Sequence, residues 1–270
     1  MSEKNNSLSI FLIILLSIAG LAIVGFFIFA ISESNGGSSW SFGISNTAPD
    51  TLVDEQSFKL SDFNTIRAKV DAGEIEIFSS ANETEQDKIS VRVYAKDKSY
   101  AEIRIEGSTL NIEDHTPECH IFCFNNNAVR YTLSIPSTYA GYFDLNSDYG
   151  DIRIGDFKDA TVEAVSNYGN IKIDSIKVAN LQLDAGNAEI NACYGKLNIE
   201  NDMGNVKIRH LELTENSSIK LDMGNATIDD AGDVRIDARV DMGNTNVEKN
   251  NYNSPITLTI ENDMGNVTVK

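Results

Sequence analysis

Two hydrophobic patterns divide this chain. Near the N-terminus, Leu8 to Ile31 is an apolar stretch of 24 residues without a charge. Most of the remaining chain consists of short segments in which apolar and polar residues alternate and β-branched residues are common. Alternation with period two predicts strands that bury one face, and no segment after residue 57 has a helical period. We therefore expect an all-β domain behind one apolar helix.

The apolar stretch predicts a transmembrane helix over residues 8–31. At about 1.5 Å per residue it would be roughly 36 Å long, enough to cross a bilayer and longer than the core of a secretory signal. Lys4 before the span favours a cytoplasmic N-terminus over residues 1–7. Residues 32–57 have the composition of a flexible linker, and residues 58–270 form the β domain. Cleavage of the span near Ala30-Ile31-Ser32 stays an open alternative.

A short signature recurs through the β domain. Its copies are Asp148-Tyr149-Gly150-Asp151, Asn167-Tyr168-Gly169-Asn170, Asp184-Ala185-Gly186-Asn187, Asp202-Met203-Gly204-Asn205, Asp222-Met223-Gly224-Asn225, Asp241-Met242-Gly243-Asn244 and Asp263-Met264-Gly265-Asn266, with a degenerate copy at Asp71-Ala72-Gly73-Glu74. The steps between successive glycines from Gly150 to Gly265 average about 19 residues. Each copy lies between two alternating segments, so each unit is expected to be two strands joined at a glycine corner.

Stacking such units predicts a repetitive β-solenoid with about 19 residues per coil and about 4.8 Å between coils. Residues 58–270 would make about eleven coils if the period held throughout. A meander of antiparallel hairpins is the rival architecture. The four methionines that precede corner glycines are interpreted as an inward-facing stack that fills the core.

In-register stacking would align side chains in columns. We call one set the acidic column: Asp184, Asp202, Asp222, Asp241 and Asp263. Its carboxylates either accept backbone N–H groups of their own corners or bind divalent cations such as Ca²⁺. We call a second set the asparagine ladder, expected to fix the register: Asn170, Asn187, Asn205, Asn225, Asn244 and Asn266.

The chain ends on a full repeat, Met264 to Lys270, without a polar capping segment. The last coil is thus expected to expose unpaired strand edges, and one candidate interaction is self-association through this C-terminal coil. The alternative is that no strand is added there, because the charges of Lys270 and the terminal carboxylate disfavour pairing at the exposed edge.

Cysteine and histidine cluster once, at His115, Cys119, His120 and Cys123. A Cys119–Cys123 disulfide and a zinc site that includes both histidines stay open as alternatives, although the spacing is unusual for zinc. Cys193 is expected to be a small buried residue. We assign no catalytic, cofactor-binding or metal residue from the sequence.

The net charge and the absence of common motifs disfavour several classes of function. With 22 basic and 40 acidic residues the formal charge is −18, which argues against nucleic-acid binding. The common hydrolase, metalloprotease and nucleotide-binding motifs are absent from the sequence. Abundant carboxylates leave a carbohydrate-active, polysaccharide-cleaving β-helical enzyme as the alternative function.

Segments such as Leu133-Ser134-Ile135-Pro136, Phe143 to Ile154 and Ile66 to Ile77 resemble the bacterial "putative adhesin" family of β-strand-repeat proteins, a family of unknown function. The resemblance covers about residues 58–270. It implies an extracytoplasmic β-repeat domain, often behind a single membrane span, and supplies no catalytic residues. We therefore expect a non-enzymatic, membrane-anchored protein that binds, adheres or scaffolds at the cell envelope, with an envelope protein or polysaccharide as its partner.

Overall fold

The computed structural model describes residues 51–80, 87–115 and 128–270. Within these ranges the chain is built of strands and two short 3-10 turns, and it contains no helix long and apolar enough to cross a membrane. The predicted helix over residues 8–31 and the segments 1–7 and 32–50 lie outside the described residues. The first strand begins at Leu52, so regular structure starts before residue 58.

Seventeen strands follow one another in the described ranges. They are β1 (Leu52–Lys59), β2 (Thr65–Ser80), β3 (Lys88–Tyr94), β4 (Ala101–Glu106), β5 (Thr109–Asp114), β6 (Val129–Pro136), β7 (Tyr142–Tyr149), β8 (Ile152–Tyr168), β9 (Ile171–Ala185), β10 (Ala188–Met203), β11 (Val206–Leu211), β12 (Ser217–Met223), β13 (Ala226–Ile228), β14 (Arg235–Met242), β15 (Thr245–Val247), β16 (Thr257–Met264) and β17 (Val267–Val269). The 3-10 turns are Leu60–Asp62 and Lys98–Tyr100.

From β7 onward all strand pairs are parallel, as stacked coils require, and they are in register apart from one irregularity each in the β8–β9 and β9–β10 pairs. Ile152 of β8 pairs with Ile171 of β9, which pairs with Ala188 of β10, and the inward side chains of each coil lie above those of the next. The inward residues form one continuous buried core that is dominated by isoleucine, leucine, valine and alanine. The solenoid prediction is confirmed, and the antiparallel meander is wrong for this part of the chain.

The N-terminal strands depart from the repeat. β2 still makes a coil of its own, with β7 and β8 on one side, but its other side is covered by β5 and β6. Antiparallel strands then extend this end: β4 pairs with β5, and β3 pairs with both β6 and β1. The regular stack therefore contains eight coils with a corner glycine, fewer than the eleven expected, because beyond β5 and β6 the strands β4, β3 and β1 pair antiparallel and do not continue the repeat.

The order of coils in space differs from their order in the chain at the C-terminal end. The last coil, β16 and β17, pairs on one side with β12 and β13 and on the other side with β14 and β15. It is therefore inserted between two coils that precede it in sequence. The expectation that the C-terminal coil ends the stack with open edges is wrong, because both of its edges are hydrogen-bonded.

The coil at this end of the stack is instead β14 and β15. Among the described residues, these strands pair only with β16 and β17. The amide of Asn250 covers part of the outer edge, because its Oδ1 accepts the N–H of Ile236 and its Nδ2 donates to the carbonyl of the same residue. Side-chain hydrogen bonds of this kind satisfy a strand edge without a further strand.

Candidate functional site

The repeated corner brings its glycines into one line. In spatial order they are Gly73, Gly150, Gly169, Gly186, Gly204, Gly224, Gly265 and Gly243. Each of these glycines lies against the carbonyl oxygen of the glycine in an adjacent coil, except Gly73, which lies against Val129. At Gly224, φ is +147° and a Cβ atom would stand 1.7 Å from the carbonyl oxygen of Gly204. Only glycine tolerates this backbone angle and this approach. The expected alignment of corner tetrapeptides is confirmed.

The asparagine ladder is confirmed as a chain of hydrogen bonds. The side-chain oxygen of every ladder residue except Asn244 accepts both the backbone N–H and the amide Nδ2 of the asparagine in the next coil, over distances of 3.0–3.3 Å. Asp151 begins the series, because its carboxylate accepts both donors of Asn170. Asn244 ends it in the outermost coil. The ladder fixes the register and consumes much of its own hydrogen-bonding capacity.

Beside the ladder runs a line of exposed apolar side chains, which we call the ridge: Tyr149, Tyr168, Met203, Met223, Met264 and Met242, in spatial order. Their exposed fractions lie between 41% and 62%. The rings of Tyr149 and Tyr168 stack with centroids 5.1 Å apart and planes 6° apart. Ala185 separates the tyrosines from the methionines. The ridge is an almost continuous apolar line on the outside of the corner.

The interpretation of these methionines as core residues is wrong. Period-two alternation from buried Leu221 would turn the side chain of Met223 inward, but the corner breaks the alternation. Asp222 and Met223 are both exposed, and the next buried side chain is that of Ala226. A convex turn leaves several successive residues on its outer side, so the residue before the glycine faces solvent.

The acidic column lies on the side of the ridge away from the ladder. Its five aspartates directly precede Ala185 and the four methionines in the sequence, and all five are exposed. Among the described residues, none of the five carboxylates has a hydrogen bond or an ion pair. The expectation that they accept N–H groups of their own corners is not met. At all five corners the asparagine N–H donates to the ladder, and at every one of them but that of Gly243 the glycine N–H donates to a carbonyl of an adjacent coil. Cation binding by this column stays an untested prediction.

The cysteine–histidine cluster falls mostly on residues that the structure does not describe: Cys119, His120 and Cys123. His115 is described and exposed, and its Nε2 lies 2.8 Å from a carboxylate oxygen of Glu102. Glu102, Glu113 and His115 bring three ligand atoms within 4.8 Å. Arg104 already pairs with both glutamates, at 2.5 Å and 3.4 Å, and supplies the positive charge that a metal would bring. Cys193 is a buried free thiol, as expected.

A shallow depression of about 270 Å³ lies beside the N-terminal coils. Its lining residues are Asn64, Thr65, Ala140, Gly141, Tyr142 and Thr161, none of which is a carboxylic acid. The nearby Tyr142 hydroxyl donates to the carboxylate of Glu163, and burial and this carboxylate raise the pKa of the phenol to about 12. This depression therefore lacks the pair of facing carboxylates that glycoside cleavage uses.

The coils lie within the part of the chain that a known family model matches. The model of the Toastrack DUF4097 family matches residues 63–270. The chain belongs to the Toastrack DUF4097 family. This match covers most of the chain and agrees with the resemblance to "putative adhesin" proteins of unknown function that the repeats indicated.

Solved structures similar to this Toastrack chain share little sequence with it. A putative adhesin of Bacteroides fragilis is 13% identical with a TM-score of 0.46, over 83% of this chain and 99% of that chain. A putative lipid-binding protein of Parabacteroides distasonis is 15% identical with a TM-score of 0.41, over 83% and 99%. A putative cell adhesion protein of Clostridium sporogenes is 10% identical with a TM-score of 0.34, over 82% and 100%. No curated protein matches this chain.

Proposed function

We propose that this Toastrack protein is a non-enzymatic binding protein of the cell envelope. Residues 8–31 anchor it in the membrane as a single span, the solenoid lies outside the cytoplasm, and the ridge is the surface that contacts its partner. The observation that carries this proposal is the ridge itself, six large apolar side chains exposed in one line. Contiguous exposed apolar surface is uncommon on a protein without partners and is typical of interaction sites.

The residue types of the ridge suit adhesion or scaffolding. Methionine side chains are flexible and polarisable and adapt to partners of different shape, while tyrosine offers a large face with a polar end. The corner backbone beneath them is held by the glycine line and the asparagine ladder, so the ridge is displayed on a rigid support. An envelope polysaccharide or protein that meets several coils at once would gain affinity from the repetition.

The ridge can be tested on the full-length chain in phosphatidylcholine nanodiscs. Met203→Ser, Met223→Ser and Met264→Ser, combined in one variant, remove half of the ridge. Lys207→Ser, Thr227→Ser and Thr268→Ser form the matched control, because they follow the corner in the same three coils. We expect the wild type and the control to retain envelope proteins or polysaccharides from extracts, and the ridge variant to lose them. Equal retention by all three proteins would overturn the proposal.

Two further measurements address the anchor and the alternative activity. A reporter that is active only outside the cytoplasm, fused after Lys270, is expected to be active in cells. Incubation with a panel of envelope polysaccharides is expected to release no new reducing ends. Release that depends on the protein would favour the carbohydrate-active enzyme instead.

A further inference from the structure

We propose that the ridge and the acidic column together bind a cationic amphipathic helix of a partner polypeptide, lying along the axis of the solenoid. This inference rests on the proposed function, because it names the kind of partner that the ridge takes. Three features carry it: the charge on one side of the ridge, the neutrality of the other side, and the spacing of the methionines.

The charge of the site lies on one side only. Asp184, Asp202, Asp222, Asp263 and Asp241 follow one another in adjacent coils, about 4.8 Å apart, and have no ion-pair partner among the described residues. At that spacing, neighbouring carboxylates repel by about 1 kcal/mol in water. A ligand that carries positive groups along one flank relieves this repulsion.

The strand positions two residues before the acidic column do not neutralise it. These positions hold Glu200, Lys220, Glu261 and Arg239 in four of the coils, so their charges cancel. On the opposite side of the ridge the ladder amides are uncharged and bonded to one another. The ligand that fits is therefore apolar along its centre and cationic along one flank.

The repeat distance favours a helix over an extended strand. Met203, Met223, Met264 and Met242 lie in four consecutive coils, so three steps of about 4.8 Å span about 14.4 Å. A helix presents one apolar row per turn of about 5.4 Å, and three turns span about 16 Å. Flexible methionines can absorb that difference. An extended strand places its same-face side chains about 6.7 Å apart, which does not match the spacing of about 4.8 Å between coils, so its side chains would face the methionines at only one or two positions.

The probe is a synthetic helical peptide of about 15 residues with leucines at i, i+3 and i+4 and lysines along one flank. Its binding to the full-length chain in phosphatidylcholine nanodiscs is followed by fluorescence anisotropy, with empty nanodiscs to measure binding to lipid. Asp202→Asn with Asp263→Asn removes two charges of the acidic column. The matched control is Glu200→Gln with Glu261→Gln, which removes two charges from the same strands, two residues away.

We expect the column variant to bind the peptide about fivefold more weakly than the wild type, and the control variant to stay within about twofold. The difference should shrink as NaCl is raised from about 0.05 M to about 0.5 M. A peptide with glutamates in place of the lysines, and one of the same composition with central prolines, should both bind far more weakly. Melting curves of all variants check that the fold is kept.

Equal binding by the wild type and the column variant overturns the inference, as does equal binding of the glutamate or proline peptide. Binding that is no stronger than to empty nanodiscs overturns it in favour of a lipid surface. The proposed function fails separately, when the methionine-to-serine variant keeps its envelope ligand. If that variant loses the envelope ligand while the lysine peptide does not bind the wild type, the ridge is a binding site and the helix is the wrong partner.

Discussion

The side-chain oxygen of Asn205 accepts two hydrogen bonds from Asn225 in the next coil, one from the backbone N–H at 3.0 Å and one from Nδ2 at 3.1 Å. Asn205 also donates through Nδ2 to Asn187, at 3.2 Å. One side chain thus closes three bonds across two coil boundaries. Repetition of this arrangement makes the corner a continuous hydrogen-bonded line along the solenoid.

Asn205→Ala should therefore destabilise the protein more than the same change at the end of the ladder. It removes three hydrogen bonds, whereas Asn244→Ala removes only the bond from its Nδ2 to Asn266. At about 1 kcal/mol per bond we expect about 3 kcal/mol against about 1 kcal/mol, measured by urea unfolding. Equal losses at the two positions would contradict the larger contribution that the two additional hydrogen bonds of Asn205 predict.

A methyl group at a corner glycine should be far more costly than one at a glycine in a turn. A Cβ on Gly224 would stand 1.7 Å from the carbonyl oxygen of Gly204, with φ at +147°. Gly107 also has positive φ, at +61°, but its Cβ would meet no atom within 4 Å. Gly107→Ala should lower the free energy of unfolding by about 1 kcal/mol. Gly224→Ala should lower it by more than about 3 kcal/mol or prevent folding. Thermal melts of similar midpoint would contradict the close approach.

The corner and its two polar columns could be predicted because the same tetrapeptide recurs, and identical sequences in stacked coils occupy equivalent positions. The outward direction of the methionines could not be predicted from alternation, because a convex corner interrupts the period of two at that point. Charge alone likewise does not show whether the aspartates at the corner bond to the backbone. In the structure the aspartates do not bond to the backbone of their corner, since the N–H groups of Gly224 and Asn225 have other acceptors.

One feature of the sequence is consistent with the spatial order of the last two coils, in which β16 and β17 lie inside and β14 and β15 lie at the end. The first inward position after the corner is isoleucine, valine or alanine in every other unit from Ile152 onward, but it is Thr245 in the unit that ends the stack. A terminal repeat needs fewer apolar residues because one of its sides meets solvent. The more apolar C-terminal unit, with Leu258, Ile260 and Val267, is accordingly the one buried between two neighbours.

Engineered disulfides can test this order directly. Met264 pairs in register with Met223 on one side and with Met242 on the other. Met223→Cys with Met264→Cys, or Met242→Cys with Met264→Cys, should therefore form a disulfide under mild oxidation, because the Cα atoms of paired residues in adjacent coils are close enough for a disulfide bond. Cysteines at 223 and 242 are separated by a whole coil and should not. Cross-linking of the 223–242 pair in place of the 223–264 pair would mean that coils follow chain order.

Two equivalent valines should differ in their contribution to stability for the same reason. Val269 is fully buried between Ile228 and Val247, whereas Val247 lies in the outermost coil and is only half-buried. Val269→Ala should cost about 2 kcal/mol, and Val247→Ala less than about 1 kcal/mol, because fewer contacts are lost at the end of the stack. Urea unfolding of the two variants measures the difference. A larger loss at Val247 would be inconsistent with its place at the end.

His210 should make part of the stability depend on pH. Its Nε2 lies 3.1 Å from a carboxylate oxygen of Glu212, and its Nδ1 lies 2.9 Å from one of Asp230. The hydrogen bond to Glu212, and to a smaller extent the one to Asp230, raise the pKa of the imidazole. A raised pKa in the folded state means that the charged ring stabilises the fold below its unfolded pKa of about 6.5, and that this contribution disappears as pH rises through the folded value. His210→Gln should lower the melting temperature by about 1 °C at about pH 5.5 and by less at about pH 8.5, since the site is largely exposed. An equal decrease at both pH values would show that the imidazole acts through packing and not through its charge.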